Sequence, residues 1–515
     1  MSLARALLLV LLITPAAAPA ALAGSVPRYP SMLSSEVFAD ALSFIQPRTL
    51  AAYPLPTLAL WGLGGLSALD PSLSADLYAG TLRLTAPDRV LAVAPIPKPT
   101  DAGGWGRAIA QLAAAAWQYS DKVRALGPGG VTQAFFDELF NHFDPYSRYV
   151  SPRRAAEERA NRSGQAGAGL SLGAENGQVV VRDVVAGGPA AAAGVQPGAR
   201  LLFVNGTPAT GRSLSALEAE LAGPVGSPVV LTLSTPGHAV QRLALVRRKV
   251  PPETVFRSRD KDLLVLRISA FDATTGPHLA NEIEAGLSVA NEPKGVVLDL
   301  RGNRGGLLDQ AIYAADALLA RGVIVRTAGR DPSASHLWRA AGADMANGLP
   351  VVVLVDGLTA SAAEILASAL ADNGRAVVIG STTLGKGLVQ TIEPLPDGGE
   401  LFVTWSAVLA PRGWPIEGLG VLPQVCTSHG PLSLERQLAL LAEGIQPMAR
   451  AIYEHETARA PLPMAQILAI RSACPAAVGS EGDIAAARVL VDNPAAYAAA
   501  LLPPAGRALP PPPPH

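Results

Sequence analysis

The chain has 515 residues, 16% of them charged, with a formal net charge of −1 and a positive mean hydropathy. That length exceeds what one ordinary hydrophobic core holds, so several domains are expected. The charge balance offers no basic field for nucleic acid and no polybasic patch for a membrane surface, so partners are expected to be chosen by pockets.

At the amino terminus, Arg5, an apolar run over residues 6–13 and Ala21-Leu22-Ala23 before Gly24 predict an export signal over residues 1–23. Pro15 and Pro19 interrupt the chain just after that run, which argues against an uncleaved anchor. No later stretch reads as a membrane span. The mature chain is expected to be exported, periplasmic or extracellular, with Cys426 and Cys474 in an oxidising compartment. One bridge between them would tie the core to the carboxy-terminal segment; the alternative is two buried thiols.

Residues 24–103 give short apolar segments cut by Pro47, Pro54, Pro56, Pro71 and Pro87, with no readable function. Residues 104–163 read as a helical lead-in whose Phe135, Phe136, Leu139 and Phe143 fall at helical spacing as core residues. Asp144-Pro145-Tyr146-Ser147 then predicts a turn. Residues 164–249 read as β-rich, with strands at 179–181, 200–205 and 229–233 and helices at 189–194 and 213–221, Ser213 capping the second. Residues 250–430 alternate strands (262–268, 295–300, 350–355, 376–379) with helices (278–290, 307–319, 360–371), an α/β pattern. Residues 431–502 read as a helical segment, and 503–515 as a proline-rich tail that packs neither as helix nor as sheet.

Residues 380–386 have the spacing of a phosphate-binding loop, but Gly387 stands where a serine or threonine must ligate magnesium. The same lysine has another use. Ser361 opens an apolar helical pattern in Thr359-Ala360-Ser361-Ala362-Ala363-Glu364, and Lys386 lies in Gly385-Lys386-Gly387. A serine hydroxyl needs a base, and a lysine serves once burial removes its proton. Its pKa must fall from about 10.4 to near 7, roughly 4 kcal/mol against the charged form. Gln390 is placed to hold that amine if the backbone there is helical or tightly turned. Oxyanion donors are expected from the N–H of Ala362 and from the glycine turn holding Gly305 and Gly306. No cofactor or metal is implied: His455-Glu456 lacks the second histidine of a zinc helix.

These motifs occur in one order: Asp144-Pro145-Tyr146-Ser147, the β-rich segment, Leu298-Asp299-Leu300-Arg301 leading into Gly305-Gly306, the Ser361 motif, then Gly385-Lys386-Gly387 with Gln390. In that order residues from about 144 to 423 resemble the carboxy-terminal processing (tail-specific) proteases, serine–lysine peptidases with a PDZ domain. The resemblance implies an α/β crotonase-like protease core, a β-rich PDZ domain and helical terminal segments. It makes Ser361 the nucleophile, Lys386 the general base, Gln390 its orienting partner, and Ala362 with Gly305 or Gly306 the oxyanion donors. Gly167-Ala168-Gly169-Leu170 resembles the PDZ carboxylate loop, in which Ala168, Gly169 and Leu170 would receive a terminal carboxylate while the peptide adds as a strand. The implied function is an exported serine endopeptidase acting on proteins with free apolar carboxy termini. The alternative is a catalytically inactive PDZ scaffold. Homo-oligomerisation and an activating partner are left open. Departures from the family pattern are Ala363 and Leu384, neither of which carries chemistry, Gln424 where aspartate is usual, and Ala199, which replaces an aspartate and loses a polar turn contact in the PDZ segment.

Overall fold

The computed structural model describes residues 26–510 other than 164, 165, 176, 186, 236, 238, 250–252 and 290. The expected export signal and residues 511–515 of the proline tail lie outside the described residues.

The amino-terminal 120 or so described residues form a packed unit, a correction to the reading of residues 24–103 as broken segments. Helices Ser31–Arg48, Leu55–Leu69, Ala102–Tyr119 and Gly127–Phe140 surround an antiparallel meander of Ser74–Tyr78, Thr81–Ala86 and Arg89–Pro95. The prolines punctuate helices without breaking them. Pro54 and Pro56 begin the second helix, where a missing N–H costs nothing, and Pro47 lies in the last turn of the first. Residues 104–163 are likewise more than a lead-in, because Trp105, Ile109 and Phe136 share one core with Phe38, Leu58 and Leu63.

The β-rich domain follows, with strand order Gln241–Val246, Pro228–Ser234, Arg200–Val204, Gln178–Val184, Leu170–Glu175. Strand Leu170–Glu175 therefore ends the sheet, with no strand on its other edge among the described residues. Helix Leu214–Leu221 packs beside it, its first turn capped by Ser213, which accepts from the Ala216 N–H at 3.3 Å.

In the α/β core a six-stranded sheet runs Val255–Asp260, Leu263–Ile268, Gly295–Asp299, Val351–Val355, Ala376–Gly380, Val425–Cys426, parallel throughout except for its first pair. Continuous runs of buried valine, isoleucine and leucine fit a sheet covered on both faces. Side chains alternate accordingly. Val296, Leu298, Val351 and Val353 pack under helices Thr275–Leu287, Leu308–Asp316 and Ala362–Asp372. Val297, Val352, Leu354 and Val377 pack under the carboxy-terminal helices Pro431–Ala442, Glu481–Asp492 and Pro494–Ala500.

A second sheet, absent from the sequence reading, runs Leu337–Ala340, Gly322–Ala328, Glu400–Leu409, Leu388–Pro394, with Arg148–Val150 also paired to Glu400–Leu409. Its Leu401 and Val403 belong to the amino-terminal core, so this sheet joins that unit to the site. Cys426 and Cys474 form a disulfide, Cα to Cα 5.7 Å. Among the described residues no helix is long and apolar enough to cross a membrane.

Candidate active site

Ser361 stands between strand Val351–Val355 and helix Ala362–Asp372 at φ +57°, ψ −119°. A non-glycine residue at positive φ carries about 1–3 kcal/mol of strain and persists only when its surroundings over-determine it. They do so here. Asp356 Oδ1 accepts from the N–H groups of Leu358, Thr359 and Gly302, each at 3.0 Å, fixing the turn before the serine. Glu364 Oε2 accepts from the Ser361 N–H at 2.7 Å.

Ala362 is the first helical residue, so its N–H has no partner within the helix. The glycine turn comes up against it. A Cβ on Gly305 would sit 2.7 Å from Ser361 Cβ and 2.9 Å from the Ala362 nitrogen, so only glycine admits this approach. The two glycines of the turn differ in what they offer. The Gly305 N–H is committed to Asn303 Oδ1 at 2.8 Å. Phe271 bonds through its N–H to Gly305 O and through its carbonyl to the Leu307 N–H, a bridge in which the Gly306 N–H takes no part. Gly306 is exposed and Gly305 buried.

Lys386 is brought to the serine by the same carboxylate. Its N–H donates to Glu364 Oε2 at 2.9 Å, and the Gly385 N–H to Oε1 at 2.7 Å; the Thr383 hydroxyl completes the set. The main-chain nitrogens of Ser361 and Lys386 therefore lie no farther apart than the sum of their distances to Oε2. Burial pushes the Glu364 carboxyl up from its usual pKa, and these four hydrogen bonds oppose that push.

The Lys386 ammonium nitrogen lies 5.0 Å from the centroid of the Tyr146 ring. Burial pushes its amine below the usual lysine pKa and Arg148 adds to the effect, while Glu417 and Glu364 oppose it. Tyr146 itself is pushed up to about 12, chiefly by burial. Among the described residues no hydrogen bond joins Lys386 Nζ to Ser361 Oγ or to Gln390.

Gln390 lies in a different backbone setting from the one expected. Residues Leu388–Pro394 form an extended strand, not a helix or tight turn, and Gln390 Nε2 donates to Leu388 O at 3.0 Å and Thr404 Oγ1 at 3.1 Å. Thr404 Oγ1 in turn donates to Asp144 Oδ1 at 2.8 Å, which also accepts from the N–H groups of Tyr146 and Ser147. Gln390 thus braces the turn that presents Tyr146 to the lysine.

Three residues of the site carry no role in the sequence reading: Glu364, Glu417 and Arg471. Glu364 had a signal, since an acid three positions after a serine at a helix start is a capping box. Glu417 accepts from the Gly387 N–H at 2.8 Å and has no local motif. Farther off, Gly169 takes φ +75° before the edge strand, Ala168 is buried, and Leu170 pairs with Val184. His455 is buried with Nε2 on Gly420 O at 2.8 Å, and no metal-binding cluster occurs among the described residues.

Residues 262–427 match the family model for peptidase family S41, and residues 180–234 that for a PDZ domain. A carboxyl-terminal-processing protease of Picosynechococcus is 31% identical over 343 residues, covering 59% of this chain and 82% of that protein. The chain belongs to the carboxy-terminal-processing protease family. A family member from Bartonella bacilliformis is 36% identical over 286 residues, 55% of this chain, and this chain spans 66% of its length. The solved photosystem II D1 C-terminal processing protease is 30% identical, with 61% of this chain and 86% of that one covered at a TM-score of 0.36. The stretch matched to peptidase family S41 contains Gly305, Gly306, Ser361, Glu364 and Lys386, and the β-rich domain is the PDZ domain of this carboxy-terminal-processing protease family member.

Proposed function

We propose that this chain is an exported serine endopeptidase that selects proteins by their free apolar carboxy termini and cleaves through a Ser361–Lys386 dyad. The observation that carries the reading is the pairing of both residues on one buried carboxylate, next to the unpaired N–H of a helix start. Neutral Lys386 takes the proton from Ser361 Oγ as that oxygen attacks the scissile carbonyl carbon. The resulting oxyanion is received by the N–H groups of Ala362 and Gly306. Collapse breaks the C–N bond, the leaving amine takes the proton back from Lys386, and water then hydrolyses the acyl-enzyme by the same route.

Two forces act on the resting lysine in opposite senses. The Tyr146 ring favours the ammonium form, and burial favours the free amine. In this reading the side chain is stored over Tyr146 and swings along its flexible stem to reach Ser361. The inactive-scaffold reading draws on the same resting geometry, and a comparison of cleavage by wild type and a serine variant separates the two.

Strand Leu170–Glu175 supports tail recognition, because it ends the sheet and an end strand can take an added one, with the Gly169 turn at φ +75° just before it. Ala168, Gly169 and Leu170 would supply those groups. The Cys426–Cys474 bridge supports export to an oxidising compartment after loss of residues 1–23. A crotonase-like core is part of the same reading, supported by the parallel sheet with the nucleophile helix on one face. The test is mass spectrometry of a periplasmic extract incubated with wild type or Ser361→Ala. New cleavage products are expected with wild type alone, and equal product patterns from both would reject the reading.

A further inference from the structure

Arg471 lies beyond the stretch that matches peptidase family S41, yet its guanidinium touches the loop that carries Lys386. Nη2 donates to Thr383 O at 2.9 Å, and Nη1 donates to Leu419 O at 2.8 Å and Gly418 O at 3.3 Å. Two of these carbonyls, those of Thr383 and Gly418, belong to residues that support the base. Thr383 gives its hydroxyl to Glu364, and the Gly418 N–H donates to Gly385 O at 2.9 Å, one residue before Lys386. A half-buried guanidinium with three main-chain acceptors, and a carboxylate, Glu364, that acts on it only through the field with no ion pair among the described residues, is a planar fork joining two loops, a task for which an ammonium has the wrong shape.

The residues after Arg471 continue the contact. Cys474 O accepts from Thr382 Oγ1 at 2.5 Å, Ala477 exchanges hydrogen bonds with Ser381 Oγ, and Ala477 O accepts from the Gly357 N–H at 2.8 Å in the turn before Ser361. Arg301, at the head of the glycine turn, donates to Ser480 O at 2.7 Å and Asp483 Oδ2 at 3.1 Å. One segment, residues 471–483, thus touches the base loop, the nucleophile turn and the oxyanion turn, and the Cys426–Cys474 bridge fastens it to the central sheet.

We propose that residues 471–483 form a strap that aligns the three catalytic loops, and that Arg471 is its positioning residue for Lys386. The proposal rests on the Ser361–Lys386 dyad reading. With the fork lost, the base loop loosens and water reaches the amine, so kcat falls while tail binding at the PDZ edge, which Arg471 does not touch, persists. The exposed amine also moves back toward the usual lysine pKa, against the unchanged charges of Arg148, Glu417, Glu364 and the Tyr146 ring.

The experiment compares full-length wild type, Ser361→Ala, Arg471→Lys and Arg471→Ala on a fluorogenic peptide with a free apolar carboxy terminus, with fluorophosphonate labelling of Ser361 alongside. Both Arg471 variants are expected to lose about tenfold to a hundredfold in kcat through misplacement of the base. KM should stay within about threefold, and the acidic limb of kcat/KM should move to higher pH. Ethylguanidinium is expected to restore part of the kcat of Arg471→Ala. Wild-type kcat and an unmoved limb in folded variants overturn the proposal. So does a loss of kcat with no shift of the limb and no rescue, or failure of both variants to melt cooperatively, since either marks Arg471 as only structural. A wild type that neither cleaves nor labels removes the dyad reading and the role of Arg471 with it.

Discussion

The main-chain N–H groups of Ser361 and Lys386 donate to one oxygen, Glu364 Oε2, at 2.7 and 2.9 Å. Ser361 and Lys386 come from loops on different strands, and a shared acceptor fixes the separation of their main-chain nitrogens in a way that neither loop does alone. A buried carboxylate is costly unless its lone pairs are filled, and four donors fill them here.

Glu364→Gln puts an NH₂ group where main-chain donors already point, leaving buried donors facing each other. The expected result is a loss of roughly 1–3 kcal/mol in stability and a fall in kcat on the order of a hundredfold from loop misplacement. Denaturant unfolding and steady-state kinetics read the two effects separately. An unchanged kcat would show that the shared acceptor does not set the dyad.

In the proposed mechanism activity requires neutral Lys386, so kcat/KM should rise with pH through the lowered pKa of this amine. Burial lowers it first and Arg148 second, while Glu417 raises it. Arg148→Gln removes a repelling cation and should move the acidic limb to higher pH. Glu417→Gln removes an attracting anion and should move it to lower pH. Shifts in one common direction, or none, would exclude Lys386 as the titrating group.

At the far end of the nucleophile helix, Asp372 is fully buried against Glu456, with Arg412, Trp414 and His455 around them. Burial pushes Glu456 up to about 7 from the usual 4.5, and Asp372 is raised as well. Between those two pH values the native pair holds a proton that the unfolded chain releases, so the pair's contribution to stability falls as pH rises, while buried His455, pushed down to about 4 from 6.5, contributes in the opposite sense. Glu456→Gln should flatten that decline, by on the order of 1–3 kcal/mol between pH 5 and 7.5. Melting curves at the two pH values measure it, and an equally steep decline in the variant would refute the assignment.

Tail recognition by the PDZ edge predicts that amidating the carboxy terminus of an apolar peptide weakens binding by at least about tenfold, the loss of a charge-assisted contact worth 1.5–3 kcal/mol. Gly169→Val should act likewise, because Gly169 sits at φ +75° with Pro189 Cδ 3.1 Å from where a Cβ would lie. Fluorescence anisotropy with free and amidated peptides checks both. Equal affinities would leave the domain a docking module without a carboxylate site.

How much of this was legible in the sequence depends on which contacts are local. Strands of the central sheet are continuous aliphatic runs, and the serine motif opens a helix, so both can be read within a window of ten residues. Long-range partners leave no such mark. Strand Leu388–Pro394 pairs with Glu400–Leu409, and the polar alternation in its Gln390 and Glu393 gives no helix or strand period strong enough to place Gln390. Pro47, Pro54 and Pro56 read as breaks in the sequence because proline disrupts helix interiors, whereas here they sit at helix ends. Arg471 and Glu417 reach the site only through tertiary packing, 85 and 31 residues from Lys386 in the numbering of the chain.

The central claim is that Lys386 activates Ser361, and fluorophosphonate labelling with peptide mapping of the product tests it most directly. Wild type should carry the label on Ser361, and Lys386→Ala, folded by circular dichroism, should carry none on the same timescale. Labelling of Ser361 at the wild-type rate in the Lys386→Ala variant would contradict the account.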